Sequence, residues 1–288
     1  MSFLSCEEML AAASSQKISL SEAILRSDLA ESRLTEAHSR ETMHHLWQVM
    51  QATSRDYDPA QRSRSGLSGG DAAKVEQAHQ EGRSFGGDYL AAVTAEALKT
   101  AECNACMKRI VAAPTAGSCG VLPAVLLPLA RSGEADEEAI CDALYVAAGF
   151  GQVIAARATL AGAEGGCQAE VGIASAMAAS AAVELMGGNP QQCLDAASTV
   201  LMNMLGLVCD PVGGLVEYPC QNRNAAGVAN ALVAAELSLA GIHQFIPFDE
   251  MLDTMYAVGR RIPIELRETA LGGCAATPSA CAKCGLCS

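Results

Sequence analysis

The chain has 288 residues, a net charge of −13 and a hydrophobic fraction of 50%, yet only 4% of it is aromatic. That length buries a sizeable core, and a core poor in aromatics must be filled by Ala, Val, Leu, Ile and Met, which favours closely packed helices over β architecture. The acidic balance, with no cluster of Lys and Arg, excludes a phosphate-binding surface and with it nucleic acid as a partner.

The first ten residues contain Cys6, Glu7 and Glu8 where a secretory leader would have a basic segment and an apolar run. The chain is therefore expected in the cytoplasm. Ser19 followed by Glu22 has the pattern of a capping box. The run over residues 20–57 then places Leu25, Leu29, Leu46, Val49 and Met50 at near-helical spacing among many charges, so its one apolar stripe is expected to contact a partner. Residues 56–70, rich in Asp, Arg, Ser and Gly, read as a linker that closes on Ser68, Gly69, Gly70 and Asp71. After Gly86 and Gly87, Asp88 is the expected N-cap of a helix running to about Ala113.

Beyond that point Ala-rich helical patterns alternate with short loops of Gly, Pro and Cys, and no long β-branched run alternates at period two. The apolar stretch 143–162 contains Gln152 and Arg157 and is mostly small residues, so it reads as a buried helix and not as a membrane span. The fold class expected is all-α, a multi-helix globular catalytic domain whose Gly/Pro/Cys-rich loops carry the chemistry. Three parts are expected: polar N-terminal helices over 1–58, a helical catalytic domain over 59–278, and a Cys-rich C-terminal tail over 279–288.

Thirteen cysteines, an odd number with no secretory leader, point to metal binding, catalysis or packing, and not to a disulfide framework. Cys167 follows Gly165 and Gly166 just ahead of a helical pattern. Cys209 and Cys220 bracket a loop of Asp210, Pro211, Val212, Gly213 and Gly214, flexible enough to fold around a bulky inorganic group. Loop cysteines at helix ends suit a cubane cluster. They equally suit small buried side chains, and spacing alone leaves both readings open.

Four segments carry a resemblance. They are residues 109–118 (RIVAAPTAGS), 164–172 (EGGCQAEVG), 209–214 (CDPVGG) and 219–224 (PCQNRN), and they closely resemble those of bacterial iron–sulfur L-serine dehydratases, with similarity extending from Ser68 to about Pro278. The resemblance implies a [4Fe–4S] cluster held by Cys167, Cys209 and Cys220, whose fourth iron polarises the substrate hydroxyl, and no pyridoxal phosphate. It further implies substrate binding by Ser68, Gly69, Gly70 and Asp71 and by Thr115, Ala116, Gly117 and Ser118, with Asn222, Arg223 and Asn224 supporting the cluster from behind. Single-chain members carry an additional N-terminal domain, so this chain resembles the alpha chain of the two-chain type, and a separate beta chain and a hetero-oligomer are expected.

Other residues leave choices open. His44 and His45 have the chemistry of a general base but lie in a polar helical run, so no base is assigned. None of the five lysines sits in a Gly-rich phosphate-binding setting. Cys103 and Cys106, three apart in a helical pattern, read as packing. In the tail, Cys281, Cys284 and Cys287 are spaced by threes, and Cys287 is the first choice for a residue that caps the open iron. The competing functions are a related cluster lyase such as an L-cysteine desulfidase, or a non-catalytic iron–sulfur protein whose tail cysteines are essential.

Overall fold

Where the sequence supplies Ser, Thr, Asp or Asn ahead of a helical run, that side chain sets the boundary. In this computed structural model, which describes residues 3–284, Ser5 accepts the Glu8 amide to begin α1 (Cys6–Gln16), and Ser19 accepts the Glu22 amide to begin α2 (Leu20–Ser32). Only this half of the expected capping box forms, because the Glu22 carboxylate pairs with Arg26 at 2.6 Å. The run over 20–57 is two helices and not one. Arg33 leaves α2 in the left-handed region at φ 59°, and Thr35 caps α3 (Glu36–Arg55) by accepting the His38 amide. Their apolar stripe turns inward: Leu20, Ile24, Leu25, Trp47 and Met50 share one core with Cys6, Met9 and the later helices, while Leu46 stays exposed.

Next come α4 (Asp71–Gln80) and α5 (Gly87–Ala105). The second begins one residue before Asp88 and ends eight residues before Ala113. Met107 at φ 59° breaks it, and the Lys108 amide folds back onto the Cys103 carbonyl at 2.9 Å. After α6 (Val121–Ser132), Asp136 caps α7 (Glu137–Arg157) by accepting the Ala139 amide. A single turn, α8 (Gly162–Gly165), leads to α9 (Val171–Leu185). Asn189 and Gln192 close a full capping box on α10 (Pro190–Met204), which is followed by α11 (Cys220–Leu239), α12 (Phe248–Gly259) and α13 (Pro278–Cys284). Among the described residues no β-strand forms, so the all-α expectation holds.

The hub is α9. Every residue from Val171 to Val183 is buried, and α6, α7, α10 and α11 pack around it. A helix apolar on all sides is stable only inside such a jacket. Among the described residues α7 is the single helix long and apolar enough to cross a membrane. It lies against α9 and ends in ion pairs from Arg157 to Asp249 and Asp253, as a core helix does. On the opposite side α11 approaches α9 closely because Gly227 has no side chain; a Cβ there would stand 2.6 Å from Ser175 Oγ and 2.7 Å from Val171 Cγ1.

Candidate active site

Three helix starts converge at one end of α9, and the sequence motifs sit on them. Residues 116–118 form a 3-10 turn leading into α6, Cys167 opens a 3-10 turn leading into α9, and Cys220 is the first residue of α11. Gln168 anchors the second of these: its amide nitrogen donates to the Gly165 and Met255 carbonyls, and its oxygen accepts the Gly206 amide at 2.8 Å. Cys209 is pinned by its backbone, donating to the Leu266 carbonyl at 2.9 Å and accepting the Glu268 amide at 2.6 Å.

Cys167 and Cys209 are each 3% exposed, and Cys220 is partly buried. Burial pushes the Cys167 thiol up to about 11 and the Cys220 thiol up to about 12, and the neighbouring Cys167 and Glu170 add to the second effect. Burial likewise drives Cys209 far above the ordinary thiol range, reinforced by Glu170, Cys167 and Glu268. The three thiols of three separate loops thus lie within one another's electrostatic reach. Among the described residues no three His, Cys, Asp or Glu side chains draw close enough to share a single metal ion.

Of the three residues expected to support the centre, Arg223 and Asn224 reach it. Arg223 pairs with Asp210 at 2.7 Å, donates to the Val208 carbonyl at 2.9 Å and lowers the Cys167 thiol against the effect of burial. Asn224 ties two helix starts together: its nitrogen donates to the Gly117 carbonyl at 2.7 Å and the Cys220 carbonyl at 2.8 Å, and its oxygen accepts the Gly120 amide at 2.8 Å. Asn222 is exposed.

Glu170 is the residue that sequence reasoning passed over. Its Oε1 accepts the Thr115 hydroxyl at 3.0 Å, and the Cys209 thiol points at its Oε2 from 3.7 Å. Burial raises its carboxyl above the ordinary value, only partly offset by the Thr115 hydrogen bond. Room for it comes from Gly162, where a Cβ would stand 2.5 Å from Glu170 Oε2 and 2.8 Å from Cys209 Sγ. The available signal was position: Glu170 stands three residues after Cys167, inside a motif already singled out.

The 115–118 turn partly spends its own amides. The Ser118 amide donates to Thr115, the Cys119 amide to Ala116 and the Gly120 amide to Asn224. The loop of Ser68, Gly69, Gly70 and Asp71 borders the same region, since Gln221 Nε2 lies 3.5 Å from Asp71 Oδ2 and Glu217 accepts both Ser63 and Ser65. His44 pairs with Glu137 and Glu138, and His45 with Arg109, which commits both histidines to other surfaces of α3. Cys103 is buried and donates to the Thr53 carbonyl, as packing requires. The base of the tail leans on the 209–214 loop: the Cys274 amide donates to Asp210 at 2.6 Å, and α13 lies against residues 212–214. Cys287 lies outside the described residues.

Fold and site together define an all-α protein with a centre of thiols and one carboxyl at converging helix starts. The family model described as Serine dehydratase alpha chain matches residues 15–275, and the chain belongs to that family. It is 42% identical over 277 residues to a probable L-serine dehydratase, alpha chain, of Bacillus subtilis, covering 96% of this chain and 92% of that protein. To the L-serine dehydratase, alpha chain, of Peptoniphilus asaccharolyticus it is 43% identical over 269 residues, covering 93% and 92%. An L-serine dehydratase of Mycobacterium bovis is 36% identical over 292 residues, which is 95% of this chain but 61% of that longer protein.

Proposed function

We propose that this chain is the catalytic alpha chain of an iron–sulfur-dependent L-serine dehydratase, which removes water from L-serine and yields pyruvate and ammonia. The observation that carries the reading is the gathering of Cys167, Cys209 and Cys220 from three loops into one electrostatic neighbourhood, in a chain whose family is named for serine dehydration. Those three cysteines would hold a [4Fe–4S] cluster. The donor set fits it, because a cubane takes its thiolates at separate corners and does not need them to touch. When bound, the cluster supplies Lewis acidity, which makes a hydroxyl a better leaving group as metal ions lower the pKa of bound water from about 15.7 to about 7.

The chain's own residues bind and orient the substrate. With the amides of Ser118, Cys119 and Gly120 committed internally, those of Ala116 and Gly117 are left to receive the serine carboxylate at a helix start. Asn224 keeps that turn in register with Cys220. Thr115 fixes the Glu170 carboxyl beside Cys209. Ser68 Oγ and Gln221 Oε1 are buried polar atoms with no protein partner among the described residues, and a polar ligand would satisfy them. The enamine left by loss of water hydrolyses to pyruvate and ammonia. A separate beta chain completes the enzyme as a hetero-oligomer.

The test is anaerobic reconstitution with iron and sulfide, followed by a pyruvate assay with L-serine, with and without a candidate beta chain. Iron-dependent pyruvate formation is expected. Full iron loading without turnover of serine in the presence of the beta chain overturns the proposal, and sulfide release from L-cysteine alone redirects it to the desulfidase reading.

A further inference from the structure

The loop that ends in Ser68, Gly69, Gly70 and Asp71 is gripped from α5 by a carboxylate that no motif pointed to. Glu102 is 1% exposed. Its Oε2 accepts the Gly70 amide at 2.9 Å and the Tyr57 hydroxyl at 2.6 Å, while its Oε1 accepts the Asp71 amide at 2.7 Å and the Ala72 amide at 3.2 Å. Four donors on one buried carboxylate leave it little freedom to do anything else.

The arrangement inverts ordinary helix capping. A helix start is usually capped by its own Ser, Thr, Asp or Asn, but α4 has Gly70 in that place at φ 83° with no side-chain cap. A side chain there would be strained by the left-handed φ, and its Cβ would also crowd the Arg62 guanidinium at 2.9 Å and the Pro59 carbonyl at 3.0 Å. The cap therefore comes from thirty residues downstream, and its negative charge suits the positive end of the α4 dipole. A second buried carboxylate, Glu217, holds the upstream part of the same loop through Ser63 at 2.6 Å and Ser65 at 2.7 Å. Between these two grips stands Ser68, 2% exposed, its hydroxyl oxygen without a partner among the described residues.

We propose that Glu102 is a positioning residue for substrate binding: its carboxylate holds residues 68–71 in the receiving shape before substrate arrives. The inference rests on the dehydratase reading for what the loop receives. It also assigns the α4 amides to Glu102, so the substrate carboxylate is met at the 115–118 turn and not at α4. A loop held ready binds with its intrinsic affinity, whereas a loop formed a tenth of the time binds about tenfold more weakly.

The test compares wild type with Glu102→Gln and the milder Tyr57→Phe, all reconstituted with iron and the beta chain. Glutamine keeps one acceptor oxygen and turns an amino group toward two of the donors. Expected for Glu102→Gln are a KM for L-serine raised about tenfold or more, kcat within about threefold, unchanged iron content and visible spectrum, and faster deuterium exchange at the amides of residues 70–72. Tyr57→Phe shifts KM and exchange in the same direction by less, and decides the matter if Glu102→Gln does not fold. Faster exchange with an unchanged KM makes Glu102 a helix cap only, and unchanged exchange removes the grip itself; either overturns the proposal. A wild type inactive on serine whose variant still shows faster exchange overturns the dehydratase reading and leaves the grip standing.

Discussion

Between α3, α5 and α6, Glu96 is 2% exposed and receives the Ser54 hydroxyl, the Arg131 guanidinium at 2.6 Å and the Lys99 ammonium at 3.0 Å. At the converging starts of α6, α9 and α11, three thiols and the Glu170 carboxyl share one neighbourhood with Arg223 as their cation. Burial alone would raise the Glu96 carboxyl, but the hydrogen bonds from Ser54 and Arg131 and the Lys99 charge outweigh it and hold it below its ordinary value. At the thiol centre burial raises every group; acidic neighbours add to it at Cys209, while Arg223 at Cys167 and Cys220 and Thr115 at Glu170 offset only part of it. One region is electrostatically finished by its own side chains. The other gathers four acidic groups around one arginine, a set that the proposed polynuclear cation would suit and a folding argument alone does not explain.

That contrast can be broken from either side. The largest effect is expected at the thiols: Cys167→Ala, Cys209→Ala and Cys220→Ala each lose the cluster and all detectable pyruvate formation while remaining folded by circular dichroism. Iron and sulfide analysis after anaerobic reconstitution reads this, and a normal iron content in any variant removes that residue from the ligand set. Glu96→Gln should do the reverse, keeping iron and turnover but losing about 1.5–3 kcal/mol at pH 7, the range of hydrogen bonds to charged groups. Because the Glu96 carboxyl is held low in the folded chain, its contribution is present above the unfolded value of about 4.3 and lost as pH falls through the folded value. Urea unfolding should accordingly show the two proteins converging below about pH 4; a constant gap would mean that packing and not charge sets the loss.

Smaller effects are expected beside the thiols, at the helix starts themselves. Asn224→Ala leaves the Gly120 amide and Gly117 carbonyl without that partner, for about 1–2 kcal/mol in stability, with KM for serine rising more than kcat falls. The exposed neighbour Asn222→Ala should stay within about 0.5 kcal/mol of wild type. Equal effects at the two positions would show that Asn224 does not tie the helix starts together.

What could be read in the sequence follows how local the cause is. Ser19 caps an amide three residues away, and the all-α class with its Ala-rich helices follows from composition and period, whereas Gly227 acts on a helix far upstream and gave no signal. The break between α2 and α3 was hidden because Arg33, and not a glycine, takes the left-handed turn, and Met107 likewise ends α5 without a warning residue. The thiols were visible through long motifs, but Glu102 was not. Its donors lie 30 to 45 residues upstream, and nothing in a helical pattern distinguishes a glutamate that faces a loop from one that faces water. Asn222 shows the converse: two residues beyond Cys220 on the same helix it lies about 200° around, more than half a turn, and so faces outward.

Gly227 fixes more than a packing distance. Since Cys167 lies four residues before α9 and Cys220 opens α11, the thiols meet only once the two helices have docked across that glycine. In the proposed enzyme the docked pair is what keeps the thiols of Cys167 and Cys220 together, so whatever loosens α9 from α11 also opens the cradle between them.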